Sequence, residues 1–577
     1  MNAEWIIAPH ATKPYYEALP EFHPLTAQTL FARGYAEPDQ ARAFITGDAP
    51  RVDPFALRDM RVAVDRILAA IHNGESIAVY GDYDCDGVTS CALLIRTLRG
   101  LNANAQVYIP DRFEEGYGLN AQALDKLKAR NVSLVITVDC GARAVREAGH
   151  ANAIGLDLVI TDHHEFEGDT IPCALAVINP QRSDCTYPYK HLAGVGVAFR
   201  LAQALLRAAR DAGMPRAGVS EAALLDFVAI GTVADVMELR GENRALVRAG
   251  LSAINNQPRA GVKALLNLAG VRQGSVTAGR IGFALGPRLN AAGRLESAMA
   301  AFDLLDCEDN VQAVALATKL ELQNRERQSV TAMTARDAEQ RAIGNGHIPA
   351  LLLAASEEYN PGVIGLAAAR LMEKHYRPSV VVSIKDGEAR GSCRSVHGFH
   401  ITQALDECRE LFTRHGGHAA AAGFTLPSDR IDALRERMTH IAERGQPEGG
   451  WRRIIRADAE VHLSKLNVHV IQELELLEPH GVGNHKPVFV ARGVRVLQAQ
   501  RLGKSEGNVP PPHLKLKVTD HSHAPSRLVW DAVAWRMGDR VGDVPEGACI
   551  DMAFECDMNE WNGQRRVQLE LKDFRVL

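Results

Sequence analysis

No stretch of this chain is apolar over the roughly 20 residues that a membrane-crossing helix needs, so a bilayer-spanning reading is excluded. The first ten residues, Met1-Asn-Ala-Glu-Trp-Ile-Ile-Ala-Pro-His10, lack a basic region followed by an apolar one and do not read as a secretory signal; the cytoplasm is the expected compartment. The ten cysteines contain no Cys-x-x-Cys pair, which argues against a zinc ribbon and against a secreted disulfide framework and leaves reduced, packing thiols. Nothing resembles a Walker A loop, so nucleotide-driven motion is not expected. Excess basic charge is missing too. With a net charge of −5, the chain has no global field that attracts a polyanion, and such a substrate would need local basic surfaces and bound metal. No internal repeat or low-complexity tract is evident. At 577 residues the chain exceeds what one core organises, and about three or four domains are expected.

What is present centres on Ile77-Ala-Val-Tyr-Gly-Asp-Tyr-Asp-Cys-Asp-Gly-Val88. A short apolar run reads as a buried strand and opens into a turn with Asp82, Asp84 and Asp86 at alternate positions. Carboxylates this crowded raise one another's pKa unless cations lie among them. Two further apolar runs repeat the design: Val132–Val138 ends on Asp139-Cys140-Gly141, and Leu156–Thr161 ends on Asp162-His163-His164. Helical patterns over Thr89–Arg96, Asn120–Arg130 and Ala142–Ala153 separate or follow them. This alternation predicts a parallel sheet with right-handed crossovers, whose ligands bind beyond the carboxyl ends of the strands. All three acidic groups fall there. Taken singly each motif is weak, and the first resembles the start of a calcium loop; that reading lacks its twelfth-position Glu, which is Leu93 here.

Residues 1 to 60 read as an N-terminal arm, with a helical pattern over Thr26–Phe44, packed on the first domain, which runs over 61–306. Inside it, Leu224–Leu239 is apolar nearly throughout except for Asp235, a carboxylate that needs a partner if buried and is the natural further ligand. Residues 307–344 read as one long connector helix, with Val311, Val314, Ala315, Thr318 and Leu322 on its apolar stripe. A second α/β unit over 345–447 has strand candidates Ala350–Ala354 and Ser379–Ile384. It carries Arg390-Gly-Ser-Cys-Arg-Ser395 and Arg414-His-Gly-Gly-His-Ala-Ala-Ala-Ala-Gly-Phe424. Beyond the Gln446–Gly450 linker, alternating strands over 451–577 indicate a small OB-like β-barrel. The fold class is therefore α/β: two α/β domains joined by a long helix, plus a C-terminal barrel.

Several Asp and one His form a hard, oxygen-rich ligand set suited to two Mn2+ or Mg2+ ions, the arrangement that serves in-line attack on a phosphoryl group. Phosphoester or phosphoanhydride hydrolysis is the expected chemistry. In the second unit Arg390, Ser392 and Arg394 would cradle a phosphate, unless the arginines are only surface ion pairs. Gly416 and Gly417 before His418 permit close backbone approach to a ligand. In the tail Arg495, Arg501, Lys504, Lys515 and Lys517 accompany Phe489, Trp530 and Trp535, a mixture that either holds a single strand or builds a core.

Asp82-Tyr-Asp-Cys-Asp-Gly87, Asp139-Cys-Gly141, Asp162-His-His164 and Ala234-Asp-Val-Met237 resemble the four ordered motifs of the DHH phosphoesterase superfamily. Gly416–Phe424 resembles the hallmark of its associated DHHA1 domain. Together with Gly286-Pro-Arg-Leu-Asn-Ala-Ala-Gly-Arg-Leu295 and the barrel, the resemblance covers nearly the whole chain and is closest to the branch of bacterial single-strand-specific 5′→3′ DNA exonucleases. It implies that Asp84, Asp86, Asp139, His163 and Asp235 bind metal, that Asp82 and His164 serve catalysis, and that Arg112, Arg288, Asn290, Arg294, Arg390, Ser392, Arg394 and His418 hold substrate. His164 could support the ligands or touch the scissile phosphate. It further implies a monomer acting on single-stranded DNA in repair and recombination, with a single-strand-binding protein and a helicase as partners. Two departures stand out: Tyr80 occupies the place of a further metal-binding His in some relatives, and Tyr359-Asn360-Pro361-Gly362 replaces a more usual Trp-His-x-Gly. The rival readings are a phosphodiesterase of short RNAs or cyclic dinucleotides, against which the barrel argues, and a non-catalytic DNA-binding scaffold, against which the intact motifs argue.

Overall fold

The computed structural model describes residues 3–47, 52–111, 115–116, 118–214, 219–295, 297–344, 346–503, 510–520, 528–561 and 564–577. The chain forms two compact units, one of residues 46–328 with 479–485, the other of residues 1–45, 329–478 and 486–577. The first strand, β1 (Glu4–Ile7), belongs to the second of these.

Residues 46–328 are built on a five-stranded parallel sheet of β2 (Ser76–Gly81), β3 (Asn104–Tyr108), β4 (Val132–Val138), β5 (Asp157–Thr161) and β6 (Ala176–Ile178), in the order β3-β2-β4-β5-β6. Burial on both faces explains the continuous apolar runs of β2, β4 and β5. The edge strands were not legible: β3 is half-polar and only partly buried, and β6 has three residues. Register aligns Gly81 with Val138 and Val138 with Thr161, so Asp82, Asp139 and Asp162 leave three neighbouring strands at one level. The ladder reaches the acids themselves, Asp139 N–H donating to Thr161 O and Asp162 N–H to Ile178 O.

The helix after β2 runs Cys85–Gly100, longer than the Thr89–Arg96 pattern, because it starts inside the acidic turn: Asp84 caps it, its Oδ1 accepting from Asp86 N and Gly87 N. Helices Gly194–Asp211 and Leu225–Ala234 pack on it, and their side chains share one core with β2 and β4.

In the other unit, β7 (Leu352–Ser356), β8 (Ser379–Lys385), β9 (Glu388–Arg394), β10 (Arg414–Gly417) and β11 (Ala421–Pro427) form a mixed sheet in the order β10-β11-β9-β8-β7. The barrel consists of β14 (Val488–Leu502), β15 (His513–Asp520), β16 (Trp530–Ala534), β18 (Gln564–Val576) and β17 (Cys549–Trp561), closes because the long β14 pairs with both β15 and β17, and carries the short β13 (Ala459–Glu460) beside β14.

Two expectations fail. Of the expected arm only the later part keeps to the first domain, Leu57 and Met60 lying in its core; residues 3–45 pack on the barrel, where β1 pairs in parallel with β12 (Ile454–Ala457), and Ala3 N and Trp5 Nε1 donate to Asp573. Tyr15, Leu19, Leu25, Leu30 and Phe44 join the barrel core beside Leu463, Val470 and Phe489. The connector, Asn310–Ile343, buries Ala313, Ala317, Leu320 and Asn324, while Val311, Val314 and Leu322 are exposed. Apart from Leu320 its inward face is made of small and polar side chains, so hydrophobicity pointed to the wrong stripe.

Candidate metal centre

Each acidic group reaches the sheet's carboxyl edge by a different device. Asp139 ends β4 with φ of 60°, a left-handed conformation that Asp tolerates better than most residues, and this turns its side chain back over the sheet edge. Asp86 lies in the first turn of the Cys85–Gly100 helix, where both carboxylate oxygens accept from the start of the helix Gly194–Asp211, Oδ2 from Gly194 N (2.7 Å) and Oδ1 from Val195 N (3.0 Å). Asp235 caps the C-terminus of Leu225–Ala234 and is followed by Val236 at φ 62°, a strained position for a β-branched residue.

Glycine makes the approach possible at two points: a Cβ at Gly194 would lie 2.5 Å from Asp139 Oδ1, and one at Gly231 would lie 2.6 Å from Asp86 Oδ1. Neither glycine carries a recognisable signal beyond its place in an apolar helix.

His163 Nε2 lies 3.1 Å from Asp139 Oδ1 and 3.6 Å from Asp235 Oδ2. Ligand-type atoms converge within 4.8 Å in three overlapping groups: Asp82, Asp84 and Asp139; Asp86, His163 and Asp235; and Asp139, Asp162, His163 and His164. Burial, reinforced by Asp84, raises Asp86 to about 7. Burial with Asp86 and Asp84 raises Asp235 to about 9 and holds Asp139 well above the carboxylate range. Burial pushes His163 down to about 4, keeping it neutral with a lone pair for a metal, and its ring is fixed by a hydrogen bond to the Leu192 backbone. Asp139 Oδ1 and His163 Nε2 are both buried without a hydrogen-bond partner. Crowded carboxylates, a neutral imidazole and two orphaned polar atoms mark a divalent-cation site, and the oxygen-rich donor set fits Mn2+ or Mg2+.

His164 is held differently. Burial works against its charge, but Asp162 Oδ1, 2.7 Å from Nδ1, raises it to about 9; burial opposes the charge on Asp162 as well, yet the His164 pair holds that carboxyl near 2. Asp162 also accepts from the backbone N–H of His163, His164 and Ala142, so it organises the whole loop. This positioning role was not read from the sequence, although the residue was.

The remaining candidates divide. Tyr80 is buried among the sheet and helix side chains, donating to Gly118 O, and does not reach the centre. Asn290 Oδ1 accepts from Cys85 N, propping the acidic turn. Arg288 is occupied by Glu321 and Ala284 O, and Arg294 sits in the last turn of the same helix. Arg112 lies outside the described residues.

In the other unit, Arg390, Ser392 and Arg394 share one face of β9, as period-2 alternation requires. Arg390 is exposed and paired with Glu388, the surface ion pair that was its bland reading. Arg394 is different: its Nη1 donates to Ser392 Oγ and Cys393 O, burial lowers its pKa, and among the described residues no carboxylate pairs with it. The first turn of the helix Ile364–His375 lies against both side chains, a Cβ at Gly365 falling 2.9 Å from Ser392 Oγ and 3.2 Å from Arg394 Nη2. His418 is exposed, its backbone closing the β10–β11 turn onto Ala421. On the barrel, Phe489 and Trp530 are core residues, and Trp535 is half exposed against His513; Lys504 lies outside the described residues.

Comparison with known proteins bears on the whole chain. Residues 76–232 match the DHH family, N-terminal domain, residues 347–444 the DHHA1 domain and residues 457–573 the RecJ OB domain. The single-stranded-DNA-specific exonuclease RecJ of Dickeya dadantii is 35% identical over 96% of this chain and 96% of its own length. The chain belongs to the RecJ family. The RecJ of Bacillus subtilis is 39% identical over 96% of this chain and 68% of its own. The crystal structure of Thermus thermophilus RecJ in complex with Mn2+ superposes with a TM-score of 0.83 at 29% identity, covering 99% of this chain and 79% of that one; the same protein has been solved with Mg2+. RecJ structures thus contain the two metals that the donor chemistry favours here.

Proposed function

We propose that this RecJ-family chain removes nucleotides from single-stranded DNA in the 5′→3′ direction. The observation that carries this reading is the buried cluster at three adjacent strand ends, with Asp139 Oδ1 and His163 Nε2 left without partners. Asp84, Asp86, Asp139, His163 and Asp235 would hold two divalent ions, with Asp82 supporting them. Bound there, such ions activate water and offset charge on the phosphoryl group.

The chain's own groups do the rest. His164, kept charged by Asp162, stands beside the ligands as a hydrogen-bond donor toward a phosphate oxygen and a proton source for the leaving oxygen. Asp162 fixes the orientation of that ring. Ser392 and Arg394, with the start of the helix at Ile364, take the terminal 5′ phosphate: a guanidinium already desolvated and, among the described residues, lacking a carboxylate loses little by accepting a phosphate. Trp535 and exposed basic residues of the barrel add contacts to a longer strand. The working form in this reading is a cytoplasmic monomer supplied with single strands by a helicase and a single-strand-binding protein, in DNA repair and recombination. Among the described residues no helix is long and apolar enough to cross a membrane.

Incubation of 5′- and 3′-labelled DNA and RNA oligomers with Mn2+, Mg2+ or EDTA tests this. The expected result is metal-dependent loss of 5′-terminal nucleotides from single-stranded DNA. Release from the 3′ end, or equal turnover in EDTA, would overturn it.

A further inference from the structure

Among the described residues one aromatic side chain stands almost wholly in solvent. Phe283 is 90% exposed, whereas the next most exposed aromatic among the large apolar side chains, Trp535, is 47% exposed. Phe283 lies in a single π-helical turn, Ile281–Leu285, between the short helix Ala278–Arg280 and the helix Gly286–Leu295. Such turns are rare and are frequent at functional sites, because the extra residue re-aims the side chains around it.

The turn is anchored on both sides by the metal centre's own supports. A Cβ at Gly282 would lie 3.7 Å from Val233 and one at Gly286 3.2 Å from Ala234, so the turn rests on the last residues before Asp235. Seven residues further on, about 10 Å at the helical rise, Asn290 holds Cys85 N of the acidic turn, and Gly293 packs on the Tyr83 carbonyl. Ile281 and Leu285 are buried as anchors, so the exposure of Phe283 is not fraying. Three residues before it, Arg280 is exposed, and its guanidinium makes no ion pair among the described residues. Both side chains are exposed within four residues of one another in the chain. An exposed apolar ring and an exposed cation on one short stretch match one nucleotide, base and phosphate together.

We infer that Phe283 and Arg280 form a subsite in which Phe283 stacks on a base of the single strand and Arg280 contacts a phosphate beside it. The subsite rests on the nuclease reading above and adds a contact beyond it. A ring face accepts any base, so the subsite holds the strand without selecting sequence.

The test uses the full chain carrying Asp139→Asn, so that binding is read without cleavage, with and without Phe283→Ala, on oligomers in which one base at a time is deleted to an abasic site. Expected is a loss of affinity of about tenfold on Phe283→Ala, the scale of one stacked base. One or two abasic positions should weaken binding to the parent and have no further effect in the Phe283→Ala protein. Phe283→Trp should restore both the affinity and the abasic sensitivity. Identical abasic profiles with Phe and Ala at 283, or undiminished affinity in Phe283→Ala, would overturn the subsite; cleavage of intact oligomers by the unmodified protein checks the nuclease reading separately.

Discussion

The metal cluster and the Arg394 pocket are opposite solutions to one problem. Around Asp139, carboxylates are withdrawn from water with too little positive charge, and their pKa values rise until protons or cations supply it. Around Arg394, a guanidinium is withdrawn from water with no carboxylate beside it among the described residues, and its pKa falls. Burying an uncompensated charge costs several kcal/mol, and a fold that merely needed stability would pair or replace it. In the proposed reading, the sign left uncompensated matches the ligand, cations at the first site and an anion at the second.

The comparison is broken most severely by removing the negative side. Asp139→Asn keeps the side-chain volume and tolerates the φ of 60°, so the fold should survive while hydrolysis drops below detection; near-normal turnover in the purified variant would remove the two-metal reading.

Asp162→Asn should lower activity by about 10- to 100-fold, the usual cost of losing a partner that orients a site residue. Titration calorimetry with Mn2+ should show that the variant still binds metal, separating it from Asp139→Asn.

On the positive side, a lost charge-assisted contact is worth about 1.5–3 kcal/mol, so Arg394→Ala should cut the preference for 5′-phosphate over 5′-hydroxyl ends by at least about tenfold. An unchanged ratio would show that the pocket has been misplaced.

The smallest effect is on stability. A carboxyl whose folded pKa lies above its unfolded value of about 3.9 binds more protons when folded, so stability falls as pH rises. For Asp86 that loss runs up to about 7, and for Asp235 up to about 9. His164, about 9 when folded, adds a loss in the same direction above about 6.5; His163, about 4 when folded, acts the opposite way and only below that. Between pH 7 and 9, metal-free protein should therefore melt at progressively lower temperature, and the rise produced by Mn2+ should grow, because metal then displaces fewer protons. Calorimetric scans at pH 7, 8 and 9 with EDTA or Mn2+ would show it; a metal-induced shift independent of pH would argue against these groups as ligands.

What the sequence disclosed follows the same physics. Strands β2, β4 and β5 were legible because a strand buried on both faces must be apolar throughout, which makes the acid at its end conspicuous. Asp84 was legible as an acid but not as a helix cap, since ligands and caps use the same residue type. Arg288 and Asn290 also bond Glu321 and Cys85 N, and spacing alone does not disclose such partners. The connector misled because alanines lie inward and valines outward. Residues 3–45 gave no sign of their partner because it lies some 450 positions away.

That last separation has a consequence in time. Strand β1 is translated some 450 residues before β12, and Ala3 570 residues before Asp573. At about 5–20 residues per second, β1 waits roughly 20–90 s for the strand it pairs with. Throughout that interval its unpaired edge and the apolar faces of the helices Pro24–Ala32 and Pro38–Thr46 are open to other nascent chains, so the last 120 or so residues act as a delayed internal chaperone for the first 45.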